Sequence, residues 1–364
     1  MKYKLEDICN RIYSGGTPST IHKEYWNGDL PWLSSGETSQ RFVYTTEKFI
    51  TKEGVQKSST KYAKRNSTVM ASAGQGHTRG QVSFLMNDMY INQSVLVFEP
   101  EVSIVNPLYL YYNLDGRYEE LRQLSDGTST RGSLSGRIVK GMEIDLPNLS
   151  VQGKIVSVLY DIDKKIENNN QINRNLSEQL KVIFSKMFPT IADSGSNTLE
   201  EIISFSNGKK RPDTEGKVPV YGGNGILSYT DKSNAENCVI IGRVGAYCGS
   251  LYLSIEPCWI SDNAIKAEAK NSKSQMFIYY LLQELALSNR HIGTSQPLLT
   301  QGILNAIPFT CPSEEGIISF CKKADDIQKL IDMNTIENKR VSELRDTLLP
   351  KLMSGELDVS DLNI

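Results

Sequence analysis

Two stretches of this 364-residue chain carry the same hydrophobic seam in the same register, and that repetition limits the fold more than any other feature. From Ile155 the seam positions advance by four and three through Leu159, Ile162, Ile166, Asn169, Asn173, Leu176, Leu180, Ile183 and Met187. From Phe320 they advance likewise through Ala324, Ile327, Ile331, Asn334, Asn338, Val341, Arg345, Leu348 and Leu352. A shift of 165 sets Ile162 on Ile327, Ile166 on Ile331, Asn169 on Asn334 and Asn173 on Asn338, so two polar layers recur at one phase. This period is what two supercoiled helices bury against each other. Each helix is expected to span about 35–38 residues, roughly 55 Å at 1.5 Å per residue. Neither is apolar enough to be stable alone in water. The asparagines cost stability and tend to fix register. The alternative, two core helices each packed on its own domain, sits poorly with polar residues kept twice on a buried stripe.

The rest of the chain repeats too. Leu5-Glu-Asp-Ile8 is echoed by Leu199-Glu-Glu-Ile202, and each opening leads to a glycine turn and a proline, Ser14-Gly-Gly-Thr-Pro18 and Asn207-Gly-Lys-Lys-Arg-Pro212. A Pro-containing strand follows, Leu30-Pro-Trp-Leu-Ser-Ser-Gly36 against Val218-Pro-Val-Tyr-Gly-Gly223. A strand running into a glycine-rich hairpin comes next, Thr68 to Gly80 against Asn237 to Gly249 at a shift of 169, which also sets Asn92-Gln-Ser94 on Ser261-Asp-Asn263. A helical tyrosine-rich segment (Leu108–Tyr112, Met276–Tyr280) and a polar loop (Gly127-Thr-Ser129, Gly293-Thr-Ser295) complete the match before Pro147 and Pro312. The organisation reads as globular unit, helix, globular unit, helix. The boundaries fall at 1–150, 151–189, 195–312 and 313–355, with the small polar stretch Thr190 to Asn197 as a linker. The units mix short β-branched strands with helices, so the fold class is α/β or α+β. An antiparallel helix pair would make a pseudo-twofold molecule with one unit at each end.

No apolar run approaches the ~20 residues of a membrane helix, and the opening Met1-Lys-Tyr-Lys-Leu-Glu-Asp7 lacks a signal peptide's apolar core, which favours the cytoplasm. The six cysteines, at 9, 238, 248, 258, 311 and 321, form no CxxC pair, and there are three histidines, so no metal site is expected, and Cys238, Cys248 and Cys258, ten residues apart, read as buried thiols on strands. Net charge is −2, unevenly distributed. Residues 41–80 hold Arg41, Lys48, Lys52, Lys57, Lys61, Lys64, Arg65 and Arg79 against Glu47 and Glu53, a local +6. Such a window suits a polyanion or is a solvated face.

If both units bind one polymer, the basic and polar loops are the candidates. In the first unit these are Lys64, Arg65, Gln75, His77, Thr78 and Arg79, with Thr130 and Arg131 in the matched polar loop. In the second they are Lys209, Lys210, Arg211, Asn224, Arg243, Tyr247 and Gln296. Arginine and lysine pair with guanine edges, and glutamine or asparagine with adenine, in the major groove, while other lysines hold phosphates. Each alone reads equally as an ordinary surface residue.

Catalytic signatures are missing. No Asn/Asp-Pro-Pro-aromatic tetrapeptide of a DNA methyltransferase, no GxxxxGK[ST] loop and no acidic cluster with a lysine for a nuclease metal is present. The chain reads as one that binds without catalysing. A standalone modifying or cleaving enzyme, or a coiled-coil scaffold that binds protein only, stays as the alternative.

Gly15-Gly-Thr-Pro18 followed by Tyr25-Trp26-Asn-Gly-Asp-Leu-Pro-Trp32, the Pro-ended strands before the long helices, and Leu348-Leu-Pro-Lys-Leu-Met-Ser-Gly-Glu-Leu357 carry a resemblance over nearly the whole chain. Together they resemble the specificity subunit of type I restriction–modification systems. The resemblance implies two target-recognition domains, each reading one half of a split, asymmetric double-stranded DNA sequence. It implies helices that set the spacing and dock two adenine-N6 methyltransferase subunits carrying S-adenosylmethionine, with motor–nuclease subunits able to join. In the second unit Gly208-Lys-Lys-Arg-Pro212 replaces Gly-Gly-Thr-Pro, so the two domains are expected to read different half-sequences.

Overall fold

A computed structural model describes residues 1–74, 76–126, 132–293 and 296–360. They form two compact units, Met1–Glu167 with Asn338–Ile364, and Asn168–Glu337. Unit 1 runs through β1 (Lys2–Lys4), α1 (Leu5–Ile8), β2 (Cys9–Ser14), β3 (Trp26–Leu33), β4 (Phe42–Val43), β5 (Lys48–Ile50), α2 (Lys52–Gln56), β6 (Lys61–Ala63), β7 (Thr68–Ala71), β8 (Val82–Leu85), β9 (Met89–Ile91), β10 (Val95–Pro100), α3 (Pro107–Asp115), α4 (Tyr118–Asp126), α5 (Gly136–Lys140) and β11 (Glu143–Asp145) into α6 (Leu149–Met187). Unit 2 continues α6 through β12 (Ala192–Thr198), β13 (Ile203–Asn207), β14 (Val218–Gly222), β15 (Gly225–Thr230), β16 (Cys238–Gly242), β17 (Leu251–Ser254), β18 (Trp259–Ile260), β19 (Ala264–Ala269), α7 (Gln275–Glu284), α8 (Gln301–Asn305) and β20 (Pro308–Phe309) into α9 (Glu314–Ser354).

The repeat holds in most strands, with β4 and β6 of unit 1 lacking a counterpart in unit 2. Unit 1 has a sheet ordered β2-β10-β7-β8-β4 and unit 2 one ordered β13-β19-β16-β17. The second sheets, β5-β3-β9-β6 and β15-β14-β18, share one parallel contact each, β3 with β9 and β14 with β18. β7, β8 and β16 are buried along their whole length, as their near-continuous apolar runs require. In unit 1 the tyrosine-rich α3 turns Tyr109, Tyr111 and Tyr112 into the core; Asn106 caps it by accepting from Leu108 and Tyr109 N–H, with Pro107 at its first position. In unit 2 an aromatic cluster of Phe184, Phe188, Phe277, Tyr280 and Phe320 fills the equivalent space.

Two expectations change. The stretch expected as a linker holds a strand: β12 pairs antiparallel with β20, Thr198 opposite Pro308, as β1 pairs with β11. Small residues allow this, because Gly195 crosses the Phe309 carbonyl where any Cβ would collide. Of the cysteines expected on strands, Cys238 lies in β16, whereas Cys248 and Cys258 are buried just outside strands.

The helices are 39 and 41 residues long. Within unit 2 they pair antiparallel: Asn169 Nδ2 donates to Glu337 Oε2 (2.8 Å), Asn334 Nδ2 to Asn173 Oδ1 (2.8 Å), and the Phe184 and Phe320 rings meet at 5.2 Å. Within unit 1, Ile155 and Leu159 share a core with Leu349 and Leu352. The remaining seam positions Ile162, Ile166, Leu176, Ile327, Ile331, Asn338, Val341 and Leu348 are half-buried. Arg345 continues the seam as a charge, paired with Asp163 at 2.8 Å. Among the described residues no helix is long and apolar enough to cross a membrane.

The asparagine layers should act on register more than on stability. Replacing Asn169 and Asn334 together by leucine is expected to leave the urea midpoint unchanged or raised, since apolar residues at such positions pack well. A loss above about 1 kcal/mol would show that these hydrogen bonds hold the pair together.

Candidate nucleic-acid interface

Register brings the loops of each unit to one end. In unit 1 Ser14 lies opposite Leu96 and Ala71 opposite Val95, so the loops after β2, after β7 and before β10 emerge side by side. Backbone bonds tie them: Gly16 N donates to Ile91 O (3.1 Å), Ser72 N to Ser94 O (2.8 Å) and Leu134 N to Ser72 O (2.9 Å). Unit 2 has the same ties: Lys209 N to Ile260 O (2.9 Å), Arg243 N to Asn263 O (3.0 Å) and Leu299 N to Arg243 O (2.9 Å). Gly15 and Gly208 press against the carbonyls of Ile91 and Ser261 where a Cβ would clash, which explains the glycine opening each loop. A tryptophan Nε1 also props each loop, Trp32 on Gly16 O (3.2 Å) and Trp259 on Lys209 O (3.3 Å), although the two stand on non-equivalent strands.

In unit 2 five of the seven candidates lie on these converging loops. Lys209, Asn224, Tyr247 and Gln296 are exposed, and Arg243 is half-buried. Lys210 and Arg211, both exposed, follow Lys209, and Arg211 lines a recess of about 550 Å³ with Thr214 and Tyr229. Among the described residues Lys209, Lys210 and Arg211 form no ion pair. The hairpin tip is two residues shorter than the uniform shift of 169 implies. Gly80 N bonds Ala71 O, and Gly249 N bonds Gly242 O, so Arg243 stands at the position of Ser72.

Unit 1 differs. His77 and Thr78 lie on the hairpin tip, exposed and half-buried. Arg79 is 8% exposed and points inward, pairing with Asp126 and donating from Nη1 to Gly132 O (3.3 Å). Lys64 and Arg65 sit at the opposite end of the β7–β8 hairpin, before Thr68, and Lys64 pairs with Glu99 at 3.1 Å. Gln75, Thr130 and Arg131 lie outside the described residues, as do Thr128, Ser129, Thr294 and Ser295 of the matched polar loops. The basic window of 41–80 therefore does not form one patch. Arg41, too, is engaged internally, by Asp115 at 2.9 Å and Asp163 at 3.2 Å.

The structure adds residues that sequence reasoning missed. A recess of about 340 Å³ beside the tip is lined by Ser39, Arg41, His77, Gln81 and Tyr118 among others. Tyr118 Oη donates to His77 O (2.9 Å) and Arg122 Nη1 to Gly76 O (2.8 Å). The signal was available: Tyr118, Arg122 and Asp126 are spaced by four and share one helix face. Among the described residues no three His, Cys, Asp or Glu side chains gather as a metal site.

A duplicated mixed helix-and-sheet unit, each copy presenting a cluster of polar loops and each built against a paired stretch of the two long helices, defines a two-unit protein with two similar but non-identical loop ends. The type I restriction modification DNA specificity domain matches residues 1–178 and 193–345, and the chain belongs to this family. It is 26% identical to the type I restriction enzyme MjaIX specificity subunit of Methanocaldococcus jannaschii, over 99% of this chain and 94% of that one. It is 23% identical to the HindI specificity subunit of Haemophilus influenzae, over 76% and 84%. The crystal structure of the type I restriction–modification S subunit from M. genitalium shares its fold at TM-score 0.57, with 18% identity over 97% of this chain and 96% of that one. The chain is thus a specificity subunit, distinct from the methylase and nuclease subunits of such systems.

Proposed function

We propose that the loop ends of the two units each read one half of a bipartite, asymmetric DNA sequence, while the helices set the spacing and dock two adenine-N6 methyltransferase subunits. The observation that carries this reading is the pair of matched backbone ties, Ser72–Ser94 with Leu134–Ser72 and Arg243–Asn263 with Leu299–Arg243. They hold different side chains in the same frame, as two readers of different half-sequences would need. The exposed Lys209, Lys210 and Arg211 suit phosphates, and Asn224, Gln296 and His77 suit base edges. Docking is supported by the unit 2 part of α9, where Leu330, Met333 and Ile336 are each half exposed or more. At 100° per residue these three fall within an arc of roughly 120°, flanking the seam. S-adenosylmethionine belongs to the methyltransferase partners, and motor–nuclease subunits complete a cleaving complex in the cytoplasm.

Co-expression with a methyltransferase subunit of a type I system, followed by modified-base sequencing of host DNA, tests the reading. A split motif methylated on adenine in both halves, lost when this chain is deleted, is expected. A stable complex without methylation points to the protein-only scaffold instead. In the same complex, replacing Lys209, Lys210 and Arg211 by alanine is expected to lower the salt slope of DNA binding by about one for each phosphate contact removed. An unchanged slope would place these cations off the DNA.

A further inference from the structure

The tip of the unit 1 hairpin has little means of holding its own shape. Gly74, Gly76 and Gly80 sit at φ +152°, +58° and +88°, where glycine is at ease and other residues are not. Among the described residues its backbone bonds close the base and one turn, Gly80 N to Ala71 O (2.9 Å), Ala71 N to Gln81 O (2.9 Å) and Gln81 N to Thr78 O (3.1 Å). The shape is imposed from α4. Side chains four residues apart share a helix face, and on α4 that face is Tyr118, Arg122 and Asp126. Tyr118 Oη donates to the His77 carbonyl at 2.9 Å. Arg122 Nη1 donates to the carbonyls of Gly76 at 2.8 Å and Arg79 at 3.5 Å. Asp126 pairs with the Arg79 guanidinium. Leu121, fully buried, anchors the helix, and Gly80 passes close enough that a Cβ would lie 3.4 Å from Leu121 Cβ.

Unit 2 holds its tip by other means. Residues Gly245–Tyr247 form a 3₁₀ turn closed by Cys248 N to Gly245 O (3.0 Å) and Ser250 N to Tyr247 O (3.1 Å). A neighbouring loop grips it through Gly245 N to Pro297 O, also 3.0 Å. The short tip is self-bonded, whereas the longer, glycine-rich one is carried on a helix. With the anchors at Gly76, His77 and Arg79 turned toward α4, the His77 and Thr78 side chains are, among the described residues, left for the tip to present elsewhere.

We propose that Tyr118, Arg122 and Asp126 are positioning residues for DNA recognition by unit 1. They set the path of the 76–79 backbone and through it which bases His77 and Thr78 can reach, without touching DNA themselves. The inference rests on the tip being a DNA-reading element. Base readout depends on bidentate geometry in the groove, so a tip free to move loses discrimination before it loses phosphate-driven affinity.

The test uses the complete complex of this chain with its methyltransferase. Tyr118→Phe removes one hydroxyl and no volume, Arg122→Ala removes the Gly76 anchor, and Arg122→Lys restores a single donor. Modified-base sequencing reads the methylated motif, and the half belonging to unit 1 is identified as the one unaltered when residues 195–312 are exchanged. Arg122→Ala is expected to admit additional bases in the unit 1 half, or to cut its methylation about tenfold, with the other half unchanged. Tyr118→Phe does so more weakly, and Arg122→Lys recovers part of the stringency. Melting of the purified variants stays at the native temperature. An unchanged motif in Tyr118→Phe and Arg122→Ala overturns the proposal. So does equal loss of both halves with a lowered melting point, which marks a purely structural helix. Failure of the native complex to methylate any motif defeats the DNA reading itself, a result distinct from a native motif that the variants leave intact.

Discussion

Asp163→Ala is expected to destabilise unit 1 by about 3 kcal/mol, the cost of opening a buried ion network from one side. The Asp163 side chain is 3% exposed. Its oxygens accept from Tyr112 Oη at 2.8 Å, Arg345 Nη1 at 2.8 Å and Arg41 Nε at 3.2 Å. Burial pushes the Tyr112 hydroxyl far above the usual tyrosine range, with Asp163 adding to the effect, so it remains a donor. Removing the carboxylate leaves two guanidinium groups close together in the interior. Among the described residues the ion pairs left are Arg41 with Asp115 (2.9 Å) and Arg345 with Asp346 (2.8 Å). Unit 2 shows what an apolar solution looks like: the shift of 165 puts Leu180, fully buried, where Arg345 stands. Exchanging Asp163 and Arg345 together for leucine is therefore expected to recover part of the loss, as apolar replacement of buried ion pairs often does. Trp26 and Trp32 report on unit 1 once Trp259, the third tryptophan, is changed to Phe. Urea unfolding followed by their fluorescence should show the fall, and a change below 1 kcal/mol would mean that water already screens the network.

This network was hidden in the sequence for a physical reason. The seam was legible because burial along two helices imposes a period, and Asn169, Asn173 and Asn334 interrupt it at matched places. Arg345 was visible in that register as an anomaly. Its partner Asp163 sits one position past Ile162, where a charge normally faces water, and Arg41 is more than 100 residues away. Arg79 misled in the opposite sense. A cation on a glycine-rich tip reads as a ligand contact, yet Asp126, also remote, draws it inward. The loops were placed well where a backbone need drove the sequence, as at Gly15 and Gly208. They were placed poorly where tertiary partners decide, as at β12, whose small polar residues gave no sign of the β20 edge waiting for them. Register also explains the split fate of the basic window. Lys64 and Arg65 are close to Thr78 in sequence, but the β7 strand carries them to the far end of the hairpin.

Exchanging residues 195–312 for those of a relative with a different target is expected to replace one half of the methylated motif and leave the other half and the spacer untouched. The cut points favour this. The segment begins in β12 and ends just beyond β20, strands that pair with Thr198 opposite Pro308, so its two ends are neighbours. Both seams lie outside it, so the helix pair that would set the spacing is retained. The segment does contribute to a shared core: its Phe277 and Tyr280 pack on Phe184 of α6, with Tyr280 also on Phe320 of α9. A donor lacking bulky apolar residues there would open a cavity costing about 3–5 kcal/mol, and the choice of donor must respect that layer. With the core kept, each altered base pair should be discriminated by about 1–3 kcal/mol, enough to switch a half-site of several bases completely. Modified-base sequencing reads the outcome directly. Change in both halves would mean that the two units do not read independently, and change in neither would place recognition outside this segment altogether.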